Sequence, residues 1–270
     1  MAIALITGGG SGIGAQTGIQ MAGRGDAVIL ADINKEAADD VAARIVASGG
    51  KAESAALDVR DGTAFDALVS RVVADHGRID IIFNNAGIGV GGPIEDLTAD
   101  HWQRIVDINI MGVVNGIRAA YPHMMRQGDG HIVNLSSLFG LVAVPGQSGY
   151  NAAKFAVRGF TESVRQDLLV AGAPVQVTCV HPGGIKTGIA RHGRATAGED
   201  HEANSRLFDD HLARLEPSVA ADQILRAMLR NQPRLLIGAD ARALHRLATV
   251  LGPRYQRLFA ARAKSMQNRR

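Results

Sequence analysis

Short unbroken apolar runs alternate along this chain with longer stretches in which apolar residues return every three or four positions. The runs lie at 2–7, 27–31, 52–57, 79–83, 131–136, 175–180 and 234–238, and their length and composition predict strands. The periodic stretches lie near 13–23, 35–48, 62–76, 100–126, 150–171 and 218–230 and predict amphipathic helices. Buried strands that alternate with such helices predict an α/β fold, a doubly wound parallel sheet of seven strands with helices on both faces. No linker or low-complexity segment divides the chain, so residues 1–240 are expected to form one domain.

Composition narrows the class. The chain has 270 residues, of which 46% are apolar, enough for one large core. It has no run of eighteen apolar residues, so no membrane span is predicted. Met1 to Ile6 is too short for a signal peptide and leads directly into a glycine turn. The single Cys179 excludes an internal disulfide framework and suits a cytoplasmic location, where it reads as a small buried strand residue. No His/Cys cluster has ligand spacing, so no metal is expected.

The net charge of +3 conceals an uneven distribution. Residues 241–270 carry eight basic side chains and no acid, and removing those eight leaves 21 basic residues against 26 acidic ones. A uniformly basic nucleic-acid surface is therefore not indicated. The basic extension 241–270 has two readings: an amphipathic helix on an anionic membrane surface, or a helix packed on its own subunit or a neighbour with its arginines solvated. Packing is favoured.

The candidate chemistry begins with the first strand, which runs into Thr7-Gly8-Gly9-Gly10-Ser11-Gly12-Ile13-Gly14 and then a helix. Glycines permit close backbone approach to a pyrophosphate, and a helix N-terminus offers free amides. The general G-x-G-x-x-G spacing fits poorly; Thr-Gly-x-x-x-Gly-x-Gly fits. Asp32 ends the second strand, 18 residues past Gly14. A carboxylate there can accept both ribose hydroxyls of an adenosine and repels a 2′-phosphate. A helix N-cap is its bland alternative, for which Asn34 is the better candidate. NAD is favoured over NADP, with Lys35 as the one ambiguous charge.

Tyr150 and Lys154 are four residues apart, on one helix face. An ammonium beside a phenol is expected to lower the phenol's pKa and so to fit Tyr150 for acid–base work. Ser137 stands 13 residues upstream, after a buried strand; Ser136 beside it should point to the opposite face.

Together these motifs resemble the short-chain dehydrogenase/reductase family of single-domain type. Asp58-Val59, Asn84-Asn85-Ala86-Gly87, Asn109 and Pro182-Gly183-Gly184-Ile185-Lys186-Thr187 carry the same likeness. The resemblance implies a Rossmann-type sheet in the order 3-2-1-4-5-6-7. It implies a cofactor site made of Gly8, Ser11, Gly12, Ile13, Gly14, Asp32, Asp58, Val59, Asn85, Ala86, Gly87, Tyr150, Lys154, Pro182, Gly183, Ile185 and Thr187. It implies catalysis by Asn109, Ser137, Tyr150 and Lys154, with Asn109 at a helix kink holding a water that links to the lysine; Asn115 is the bland alternative. Asn84 and Gly87 are expected to shape a turn against the cofactor. His181 reads as a neutral structural residue rather than a second base. The segment near 188–217 should form a substrate lid, and a homodimer or homotetramer is expected.

The activity so implied is hydride transfer between NAD and a secondary alcohol or ketone. An NADPH-dependent carbonyl reductase and a non-catalytic dinucleotide-binding sensor are the alternatives.

Overall fold

The computed structural model describes residues 1–189, 194–195 and 213–267. Seven strands form one parallel sheet: β1 (Ile3–Thr7), β2 (Ala27–Asp32), β3 (Lys51–Ala56), β4 (Ile81–Asn84), β5 (Gly130–Leu135), β6 (Val175–Pro182) and β7 (Arg234–Ile237). Their spatial order is β3-β2-β1-β4-β5-β6-β7. The order reverses between β1 and β4, which pair directly, and a crevice at the carboxyl ends of the strands follows from that reversal. A two-residue parallel pair, Val90–Gly91 with Arg194–Ala195, lies outside the sheet.

Alternation along the strands sorts side chains into two cores. Leu5, Ile29, Ile82, Ile132 and Val177 face one side, where α3 (Gly62–His76), α5 (Gly112–Gln127) and α6 (Ser148–Ala171) pack. Ile6, Leu30, Phe83, Val133 and Val180 face the other, covered by α1 (Gly12–Ala22), α2 (Lys35–Ala47) and α7 (Pro217–Leu229). Helix starts follow their caps. Asn34 accepts the Ala37 amide at 3.2 Å and Asp61 accepts the Ala64 amide at 2.9 Å.

Two differences from expectation matter. The single helix predicted over 100–126 is α4 (Ala99–Val106) and α5 joined by one wide π turn, Asp107–Met111. The C-terminal segment forms α8 (Ala239–Leu251) and α9 (Tyr255–Gln267), broken at Gly252–Arg254. These helices fold back on the chain: Ala241 is buried with Leu138, Leu141 and Val142, and Tyr255 and Phe259 pack on that cluster. No helix among the described residues is long and apolar enough to cross a membrane.

Candidate active site

The glycine loop is held by the end of β4. Thr7 Oγ1 accepts the amides of Asn85 and Ala86, both at 3.1 Å. Asn85 Nδ2 donates to the carbonyls of Thr7 at 2.9 Å and Gly8 at 3.1 Å. Gly8 has φ +65°, and a Cβ on it would stand 2.7 Å from Asn85 Nδ2. A Cβ on Gly14 would stand 2.3 Å from the Gly8 carbonyl oxygen, so α1 begins pressed against the turn. Ser11 occupies the N-cap of α1 with no side-chain bond to the first turn, leaving that turn's amides to an anion; Ile13 beside it is buried. A Cβ on Gly12 would meet Thr187 Cγ2 at 3.2 Å, so the loop after β6 closes over the glycine turn. This narrow, amide-rich cradle suits the pyrophosphate of a dinucleotide.

Asp32 sits at the rim of the crevice. Its Oδ2 accepts the Gly10 amide at 3.0 Å and its Oδ1 accepts the Asn34 amide at 2.9 Å. Lys35 bonds both carboxylate oxygens of Asp39 at 2.7 Å, so the ambiguous charge is paired elsewhere. Asp58 is clasped by Arg60, which holds its carboxyl below the usual range. Val59 is buried beneath it, and Asn115 Nδ2 donates to the Val59 carbonyl at 2.9 Å. Asn115 is thus a tie between α5 and the turn after β3. Asn84 departs from expectation: it is buried, donates to Asn134 Oδ1 at 2.8 Å, and points into the core rather than the crevice. Asn134 in turn donates to Thr161.

Asn109 lies in the π turn, fully buried. Its side chain exchanges two hydrogen bonds with the Ile88 backbone, accepting from the amide at 2.8 Å and donating to the carbonyl at 2.9 Å. Gly87 fits between Asn109 and the lysine: a Cβ there would be 3.1 Å from Asn109 Oδ1 and 3.5 Å from Lys154 Nζ. Lys154 is buried, donates to the Leu135 carbonyl at 2.8 Å, and lies 5.6 Å from the Tyr150 ring centroid. Ser136 and Ser137 point apart. Ser136 donates to the Lys154 carbonyl at 2.8 Å inside the core, whereas Ser137 hydrogen-bonds Tyr150 and accepts the Phe139 amide at 3.1 Å.

The electrostatics correct the expectation of a depressed phenol. Burial pushes Tyr150 up to about 12, with the Ser137 hydrogen bond pulling the other way. Burial pushes Lys154 down to about 8. At the phenol, desolvation outweighs the pull of Ser137. His181 is buried and bonds the Ser137 carbonyl through Nδ1 at 2.9 Å; burial lowers it to about 4, so it is neutral at pH 7.

The turn Pro182-Gly183-Gly184 is fastened by a residue the motifs did not include. Asp240, in the first turn of α8, accepts the Gly184 amide at 2.8 Å. A Cβ on Gly183 would stand 2.2 Å from Asp240 Oδ2. Ile185 is buried and bridges to Leu215; Lys186 bonds Glu216 at 2.6 Å. Of the expected lid near 188–217, residues 190–193 and 196–212 lie outside the described residues, and with them His192, Glu199, Asp200, His201, Glu202, Leu207 and Phe208.

The class follows from the sheet order, the glycine cradle and the Ser137–Tyr150–Lys154 grouping together. The short chain dehydrogenase model matches residues 2–198, and the chain belongs to the short-chain dehydrogenase/reductase family of oxidoreductases. SadH of Mycobacterium tuberculosis, named an oxidoreductase, is 45% identical over 259 residues, covering 96% of this chain and 94% of SadH. Cyclohexanol dehydrogenase of Acinetobacter sp. strain SE19 is 39% identical over 186 residues, covering 68% and 73%. Among solved structures, a short-chain dehydrogenase/reductase from Burkholderia phymatum in complex with NAD superposes with TM-score 0.88 at 29% identity, covering 94% of this chain and 95% of that one. A metagenomic short-chain oxidoreductase in complex with NADP superposes with TM-score 0.71 at 30% identity, covering 87% and 96%.

Proposed function

We propose that this oxidoreductase transfers a hydride between NAD and a secondary alcohol or ketone borne on an apolar body, with Tyr150 as acid and base. The observation that carries this reading is the meeting of Ser137, Tyr150 and Lys154 beside Gly87 and Asn109, in the crevice that also holds the glycine cradle. The relative named cyclohexanol dehydrogenase supports the substrate class.

The first-turn amides from Gly12 to Gly14, with Gly8 and Ser11, bind the pyrophosphate. Asp32 accepts the adenosine ribose hydroxyls; Asp58 and Val59 border the adenine; Asn85, Ala86 and Gly87 flank the cofactor's path. Pro182, Gly183, Ile185 and Thr187 hold the nicotinamide end. When bound, the nicotinamide accepts or supplies the hydride. In oxidation Tyr150 takes the hydroxyl proton from the substrate, and reduction is the reverse. Ser137 donates to the substrate oxygen where charge develops. Lys154 retains its proton below pH 8, favours the phenolate and holds the nicotinamide ribose. Asn109 commits its side chain to Ile88, so its part in a water-linked proton path falls to the main chain of the wide turn.

NAD is preferred over NADP because Asp32 would face a 2′-phosphate and Lys35 is turned to Asp39. Residues 1–240 act as the catalytic domain and 241–270 as an extension whose described helices pack on it. A cytoplasmic homodimer or homotetramer completes the proposal. Steady-state turnover over a panel of secondary alcohols and ketones, each with NAD(H) and NADP(H), tests it. NAD-linked turnover supports the reading, NADPH-linked ketone reduction replaces it with carbonyl reductase, and cofactor binding without turnover points to the sensor.

A further inference from the structure

We propose that Tyr255 is a positioning residue for the segment 138–144, which adjoins Ser137 and Tyr150, and that the C-terminal helices thereby set which apolar bodies the site accepts. The inference rests on the oxidoreductase reading above and adds a determinant of substrate choice to it.

Two consecutive residues of that segment are pinned by two different elements. The Ala143 amide donates to Tyr255 Oη at 3.1 Å, across 112 residues of chain. The Val144 carbonyl accepts from Asn151 Nδ2 at 2.9 Å, and Asn151 is the neighbour of Tyr150 on α6. One fastening comes from the C-terminal helices and the other from the catalytic helix. The Tyr255 ring is itself fixed, since Phe259 meets it edge to face with centroids 5.3 Å apart.

The segment so held leads to the reacting group. Leu138, Leu141 and Val142 turn toward the C-terminal helices and are buried there. Phe139 packs on the same cluster, and its ring meets the Tyr150 ring edge-on at 6.1 Å and 85°. The Phe139 amide also donates to Ser137 Oγ. Tyr255 touches no reacting group, but a shift of the segment would move the Phe139 ring and alter the space beside the phenol. That face is aromatic and apolar, so the matching substrate part is a bulky hydrocarbon body next to the carbinol carbon. A small alcohol puts no bulk into that space and is less sensitive to Tyr255.

Tyr255→Phe removes the acceptor of the Ala143 amide and keeps the ring; Phe259→Ala removes the ring's support. Both full-length variants are assayed with wild type on secondary alcohols of increasing apolar bulk, with hydrogen exchange followed over 138–144. The expected result is a rise of roughly tenfold in KM for the bulky alcohols, with kcat and the KM for the smallest alcohol and for the cofactor within about twofold. Faster exchange at Ala143 accompanies it. A uniform loss across all substrates, or no change in KM, overturns the proposal. Wild type inactive on the whole panel contradicts the oxidoreductase reading instead; unchanged Ala143 exchange in Tyr255→Phe then overturns the positioning role on its own.

Discussion

Asp32 Oδ2 accepts the Gly10 amide at 3.0 Å, so the carboxylate proposed to hold the adenosine ribose also closes the glycine loop. Its other oxygen takes the Asn34 amide at the head of α2. Removing the carboxylate should therefore do two things. Asp32→Ala is expected to weaken NAD binding and to reduce discrimination against NADP, and to lower stability by about 1 kcal/mol through the freed loop amide. Fluorescence titration with both cofactors, beside a urea melt, measures the two effects. Wild type that binds NADP more tightly than NAD would show that Asp32 has been misread.

Lys154 carries a cost in stability that its proposed role explains. Its ordinary value of 10.5 falls to about 8 on burial. The unfolded chain thus holds a proton that the folded protein releases between pH 8 and 10.5. Burial of the ammonium is destabilising by order of 3 kcal/mol below pH 8, and this is relieved as pH rises to 10.5. Lys154→Met is expected to lose turnover and cofactor affinity, yet to melt no lower than wild type at pH 7, even without the bond to Leu135. The advantage should shrink by pH 10. A variant less stable at pH 7 by the same margin as at pH 10 contradicts this.

Two buried histidines set the acid limit. His131, bonded to Thr178 Oγ1 at 2.8 Å, and His181 are both lowered by burial from 6.5 to about 4. The unfolded chain protonates first as pH falls, so their stabilising effect is complete above pH 6.5 and is lost toward pH 4. Each contributes of order 3 kcal/mol to that fall. Thermal melts from pH 7 to 4 should drop steeply, and His131→Gln should flatten the slope. An unchanged slope in the variant would remove His131 from this account.

Assembly is expected from surface left uncovered. Met111, Phe155 and Val170 lie on the π turn and α6 with 42%, 39% and 91% of their surfaces exposed. Burying such side chains across a two-fold axis is the ordinary route to a dimer. Light scattering at micromolar concentration should give two or four chains, and a monomer mass refutes the expectation.

Much of this molecule is legible in its sequence because the signals are local. The alternation of apolar runs and periodic stretches marks the seven strands, and the two-residue period of a strand separates Ser136 from Ser137. What escaped detection is tertiary. Asp240 acts on Gly184 from 56 residues away and Tyr255 on Ala143 from 112, and neither position carries a motif. Asn84 and Asn85 look equivalent in a polar turn; only the end of β4 turns one inward. The sign of the Tyr150 shift depended on depth of burial, which four-residue spacing from a lysine does not encode.

The central claim is that the Tyr150 hydroxyl moves the proton. Because burial raises that phenol while Lys154 holds its proton only up to about pH 8, alcohol oxidation by wild type should quicken as pH rises toward 8. The direct test is stopped-flow hydride transfer by Tyr150→Phe with bound cofactor, using an alcohol the wild type oxidises. The ring and the Phe139 contact remain, so NAD affinity should be close to wild type while hydride transfer falls by about a thousandfold. Transfer within a few-fold of wild type would contradict the account.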